Sequence, residues 1–83
     1  MMYQAKIEVG LKSGHSDPEG EMSGQSLREL KYSVKSVTVS KVYKVYLEAG
    51  SRKEAEKQVD EMCRKLLANP TKDNYRFEIE EAK

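Results

Sequence analysis

The 83-residue chain predicts an α+β fold with the element order β-α-β-β-α-β, and three observations carry that prediction. Apolar and polar residues alternate near both ends, as in half-buried strands. Two intervening segments carry helical periodicity behind clear start signals. The stretch between those two helices alternates again, on either side of a polar pair.

The first strand covers residues 3–11, where Tyr3, Ala5, Ile7, Val9 and Leu11 are apolar and Gln4, Lys6 and Glu8 lie between them. After a loop containing His15, Asp17-Pro18 offers a cap and a residue preset for the first helical turn, which predicts a helix over residues 18–32. Met22, Leu27 and Leu30 form its apolar arc, while Gly20 and Gly24 each weaken it by up to ~1 kcal/mol relative to Ala. Gly20, Gly24 and Leu27 also fall in one row that can approach another backbone closely, either the chain's own sheet or a partner protein. In residues 34–47, Val37, Val39, Tyr43, Val45 and Leu47 share one parity around Ser40-Lys41, which predicts a two-stranded hairpin turning at that pair.

The second helix starts at Ser51, with Glu54 completing a capping box. Ala55, Val59, Met62, Cys63, Leu66 and Leu67 fall within an arc of about 140°. Asp60 with Arg64 and Glu61 with Lys65 add pairs four apart. Asn69-Pro70 ends this helix, the asparagine through a left-handed cap. Tyr75, Phe77 and Ile79 then alternate with Arg76, Glu78 and Glu80 in a last strand. Right-handed crossovers and one apolar face per strand place both helices on one side of a four-stranded antiparallel sheet, the ferredoxin-like arrangement, in a single domain over residues 1–83. The uncovered face would show Gln4, Lys6, Glu8, Lys44, Arg76, Glu78 and Glu80 together with Met2, Val34, Val42 and Tyr46. Several apolar residues on one open face predict self-association or a docking partner.

Composition narrows the function classes. Leu, Ile, Val and Phe number 16 of 83, so the core is small and a partner covering some apolar surface would add to it. Residues 1–49 carry seven basic and six acidic side chains and residues 50–83 carry eight of each, without the basic concentration that nucleic acid requires. Lys41-Val42-Tyr43-Lys44-Val45-Tyr46 lacks the glycine and the aromatic spacing of an RNA-recognition motif. No apolar run approaches the ~18 residues of a membrane span and no signal peptide opens the chain, so a cytoplasmic protein without membrane contact is expected. One Cys and one His are too few for a structural zinc site.

Catalytic groups are equally sparse. Cys63 lies on the apolar stripe of the second helix, where a buried inert thiol is expected. His15 has Asp17 nearby but no nucleophile, and Glu80-Glu81 point to opposite faces of a strand. No Gly-rich run with Lys precedes a helix to cradle phosphate, and the loop 12–16 lacks the Arg of an acylphosphatase. No catalytic, cofactor-binding or metal-ligating residue is therefore predicted. Two classes are consistent with this pattern: an assembly subunit, or an amino-acid-sensing regulatory module of the same strand and helix order.

Asp17-Pro18-Glu19-Gly20, the turn at Lys41, and Met62-Cys63-Arg64-Lys65-Leu66-Leu67-Ala68-Asn69-Pro70 followed by Tyr75 resemble the PurS subunit of phosphoribosylformylglycinamidine synthase. The resemblance spans nearly the whole chain. Departures occur at His15 and Ser16, usually apolar in the family, at Ser40, usually Gly, and at Thr71-Lys72, usually an apolar pair. It implies an accessory subunit in de novo purine synthesis, acting as a dimer or tetramer. Its implied partners are a glutaminase subunit and a large synthetase subunit, in a complex that uses ATP, magnesium and glutamine, and it would bridge the two and assist ammonia transfer. Asp17, Pro18, Gly20, Gly24, Lys41, Val42, Tyr46, Asn69, Pro70 and Tyr75 are the residues expected at partner or oligomer interfaces.

Overall fold

A computed structural model describes residues 1–82, so Lys83 of the predicted domain lies outside the described residues. Strand β1 (Met2–Leu11) is central, flanked by the antiparallel strands β2 (Lys41–Glu48) and β3 (Asp73–Ala82). The register sets Ala5 between Val45 and Ile79 and Ile7 between Tyr43 and Phe77, which gathers the odd positions of all three strands on one face. Helix α2 (Arg52–Met62) covers that face with Ala55 and Val59, and its continuation adds Cys63. Ile7, Val59 and Cys63 are the largest fully buried side chains. Complete burial of a residue such as Ile7 or Val59 contributes roughly 1.5–3 kcal/mol.

Four expectations are corrected. The first concerns the sheet, which has three strands rather than four. Among the described residues, 34–40 pair with no strand and lead directly into β2. A two-residue hairpin turn needs positive φ, and among the described residues only Gly14 and Lys31 adopt it. Ser40 and Lys41 therefore leave the chain straight, and Val34 does not join the open sheet face.

The second concerns α1 (Pro18–Glu29), which does not share the sheet face with α2. Its buried residues are Gly20 and Gly24, and both bear on Val37 of the extended segment. Met22 and Leu30 are 70% and 67% exposed, so these two residues of the predicted arc face away from the chain's own core, while Leu27 is half-buried. The helix also stops three residues short of the expected end. Lys31 takes the left-handed conformation at φ 77°, with its N–H donating to the Arg28 carbonyl and that of Tyr32 to the Leu27 carbonyl. This is a Schellman cap built without glycine.

The third concerns the end of α2, where Cys63–Leu67 form a π-helical turn closed by the Ala68 N–H donating to the Cys63 carbonyl at 2.9 Å. The extra residue in that turn swings Leu66 outward, 83% exposed, while Met62 and Leu67 stay against the core. The fourth concerns Asn69, which does not use a left-handed cap. Its Oδ1 accepts from the N–H groups of Thr71 and Lys72 at 2.9 and 3.3 Å, an Asx turn.

Candidate functional site

The residues expected at interfaces fall into three groups. Asp17, Pro18, Gly20 and Gly24 belong to the arm made by α1 and residues 34–40. The Asp17 carboxylate caps α1 by accepting from the Gly20 N–H at 2.9 Å, and its other oxygen accepts from the Val39 N–H at 2.8 Å. These two bonds, the Gly20 bond foremost, hold its pKa below the usual carboxylate value. Asp17 thus ties both pieces of the arm together, and a Cβ on Gly20 would run into the Val37 carbonyl oxygen. Gly24 has ordinary room, with its nearest neighbours at 3.4 and 3.5 Å. The cap was legible from Asp17-Pro18, whereas the bond to Val39 joins residues 22 apart and had no local signal.

Lys41, Val42 and Tyr46 lie on β2, an edge of the sheet. Val42 and Tyr46 are 48% and 56% exposed on the face away from α2. Lys41 lines a groove with Asp17, Val39, Leu67 and Lys72, which brings the first two groups together at one end of the sheet.

Asn69, Pro70 and Tyr75 form the third group at that same end. The Asn69 N–H donates to Asp73 at 2.8 Å, and Lys12 Nζ donates to the Pro70 carbonyl at 3.0 Å. The Tyr75 hydroxyl donates to Asp60 Oδ1 at 2.6 Å, while Arg64 Nε donates to Asp60 Oδ2 at 2.8 Å. The tyrosine bond is the main reason the Asp60 carboxyl lies low and the Tyr75 hydroxyl lies high. The Asp60–Arg64 and Glu61–Lys65 pairs form as expected, at 2.8 and 3.9 Å. Burial, reinforced by the Asp60 charge, pushes the Cys63 thiol up, so the neutral thiol is favoured.

Sequence reasoning missed an apolar groove of about 450 Å³ beside α2, lined chiefly by Val45, Met62, Leu66 and Leu67 with Glu61 and Lys65 at its rim. It lies over the inner face of β2, where the first helix was expected. Only the outward swing of the π turn could have signalled it, and periodicity at 100° per residue hides that turn. Among the described residues no group of three or more His, Cys, Asp or Glu is arranged to hold a metal ion, and no helix is long and apolar enough to cross a membrane.

A three-stranded sheet with one helix on its face, an exposed apolar groove and an arm tied together by the Asp17 carboxylate define a small α+β protein whose open apolar surface is of the kind that marks contact sites. The chain belongs to the PurS family: the family profile, described as phosphoribosylformylglycinamidine (FGAM) synthase, matches residues 4–81. The phosphoribosylformylglycinamidine synthase subunit PurS of Archaeoglobus fulgidus is 47% identical over 72 residues, 86% of this chain and 90% of that one. The Bacillus subtilis subunit is 37% identical over 81 residues, covering 96% and 95%. Among solved structures, Thermus thermophilus PurS superposes with a TM-score of 0.89 at 34% identity over the full length of both chains. A chain of the Thermotoga maritima PurLQS structure superposes at 0.87 and 30% identity, covering 96% of this chain and 99% of that one.

Proposed function

We propose that this chain is the small, non-catalytic subunit of formylglycinamidine ribonucleotide synthase in purine biosynthesis. The carrying observation is its likeness, over 96% of its length, to a chain of the Thermotoga maritima PurLQS structure, supported by the family match over residues 4–81. In this reading it self-associates and bridges a glutaminase subunit and a large ATP-dependent synthetase subunit in the cytoplasm, and assists the passage of ammonia from one to the other. Glutamine, ATP and magnesium are then handled by the partners. The neutral buried thiol of Cys63, the near-zero net charge and the exposed apolar surfaces support that division of labour.

The interface residues proposed are Asp17, Pro18, Gly20 and Gly24 on the arm, Lys41, Val42 and Tyr46 on β2, and Asn69, Pro70 and Tyr75 at the end of the sheet. Mixing the purified chain with the glutaminase and synthetase subunits should raise glutamine-dependent synthesis well above that of the two large subunits alone. Equal activity without the chain would overturn the proposal.

A further inference from the structure

Strand β3 is ten residues long and lies at an edge of the sheet, with no strand on its outer side among the described residues. An edge of that length presents a row of unpaired backbone groups, a template for the same edge of another copy. The hydrogen bonds show which groups these are. The Lys12 N–H donates to the Lys72 carbonyl at 2.7 Å, so even positions turn their backbone groups toward β1. The odd positions Tyr75, Phe77, Ile79 and Glu81 therefore turn theirs outward.

The side chains do not discourage pairing of two such edges. With a two-fold axis at Phe77, an antiparallel pair of β3 strands sets Tyr75 opposite Ile79 of the second copy and Arg76 opposite its Glu78, twice over. The first pair is apolar and the second oppositely charged, and cross-strand pairs of both kinds are favourable. Moving the axis to Glu78 or Ile79 changes the side-chain pairs. In each of these registers, however, the Ile79 backbone has to bond the other strand.

Arg52 occupies that position. It opens α2, and its Nη2 donates to the Ile79 carbonyl oxygen at 2.6 Å, a short bond from a charged donor. Its Nε lies 3.6 Å from Glu56 Oε1 one turn further along the helix, so the guanidinium is held from two sides. The Ile79 side chain is 4% exposed, which keeps this stretch of backbone from turning its carbonyl elsewhere.

We infer that Arg52 is an edge guard: by holding the Ile79 carbonyl it denies β3 to a second copy and stops the sheet from growing edge to edge. A strand added here would have to displace a charge-assisted bond and leave a guanidinium wedged between the two edges. The guard acts on a single copy and does not depend on self-association. It matters more where copies associate through other surfaces, as proposed above. Each assembly then carries more than one free β3, and unguarded edges would join assemblies end to end without closing.

Three variants test this. Arg52→Ala removes the donor, Arg52→Met keeps the apolar stem without it, and Glu56→Ala removes the ion pair but keeps the bond to Ile79. Sedimentation velocity over a hundredfold range of concentration should give, for both Arg52 variants, species at least twice the mass of the parent at the same concentration, whatever the parent's own mass. Glu56→Ala should match the parent. In those larger species the outward N–H groups of Phe77 and Ile79 should exchange at least tenfold more slowly than in the parent. Arg52 variants that stay folded by circular dichroism and keep the parent's mass throughout would overturn the inference. So would larger species in which Phe77 and Ile79 exchange as fast as in the parent, because association would then run through another surface. Unfolding of both Arg52 variants would mean that the residue serves the fold and not the edge, and would overturn it as well.

Discussion

Asp17 shows how much one side chain holds. Its two oxygens satisfy the Gly20 N–H at the start of α1 and the Val39 N–H at the end of the extended segment. Asp17→Ala removes both acceptors and should lower the melting temperature by about 5 °C or more, with Asp17→Asn recovering part of it. Thermal melts read by circular dichroism check this, and an unchanged midpoint would contradict the arm geometry. The pH dependence follows from the directions of the shifts. The folded pKa values of Asp17 and Asp60 lie below the ordinary 3.8, so their contribution is complete above about pH 4 and is lost as pH falls through the folded values. Tyr75 is raised above its ordinary 10.0, so its contribution is present below that value and lost at higher pH. An Asp17→Asn/Asp60→Asn double variant should therefore show a shallower loss of stability between pH 5 and pH 2 than the parent.

Elements bring in constraints that single residues do not reveal. Lys31 closes α1 in the left-handed region, where a residue with a Cβ carries a cost of about 1–2 kcal/mol. Lys31→Gly should recover about 1 kcal/mol of that, less what glycine adds to the entropy of the unfolded chain, and raise the melting temperature by a few degrees. The two glycines of α1 should behave differently. Gly24→Ala meets only ordinary contacts and gains helix propensity, so it should be neutral or stabilising. Gly20→Ala drives a Cβ into the Val37 carbonyl and should cost about 1–3 kcal/mol in overpacking. Guanidinium melts of the two variants separate these outcomes, and equal midpoints would refute the close approach at Gly20.

At the scale of the whole molecule, the self-association proposed above bears on stability because the core of the single chain is small. Among the described residues the body buries eleven apolar ones, while Met22, Leu30, Val42 and Leu66 stay largely exposed in the single chain. Covering them in an assembly adds binding free energy to folding, so the melting temperature should rise by several degrees over a hundredfold increase in protein concentration. Calorimetry across that range checks this, and a midpoint independent of concentration would mean that a single copy folds alone.

The sequence by itself determined the elements whose causes are local. Alternation set the three strands and their buried parity. Asp17-Pro18 and Ser51 set the helix starts, the latter visible as the Glu54 N–H donating to Ser51 Oγ at 3.2 Å. The run from Met62 to Pro70 carried the family resemblance. Only the tertiary structure decided what lies over what. Alternation around Ser40-Lys41 reads the same whether the chain folds back or runs on, because periodicity reports a strand's faces and not its neighbour. An apolar arc likewise states that a helix must bury a face without saying against which chain, and α1 turns Met22 and Leu30 away from its own sheet. The choice fell to the backbone at Ser40-Lys41, which makes no turn, and to the Asp17–Val39 bond across 22 residues, which no local pattern records.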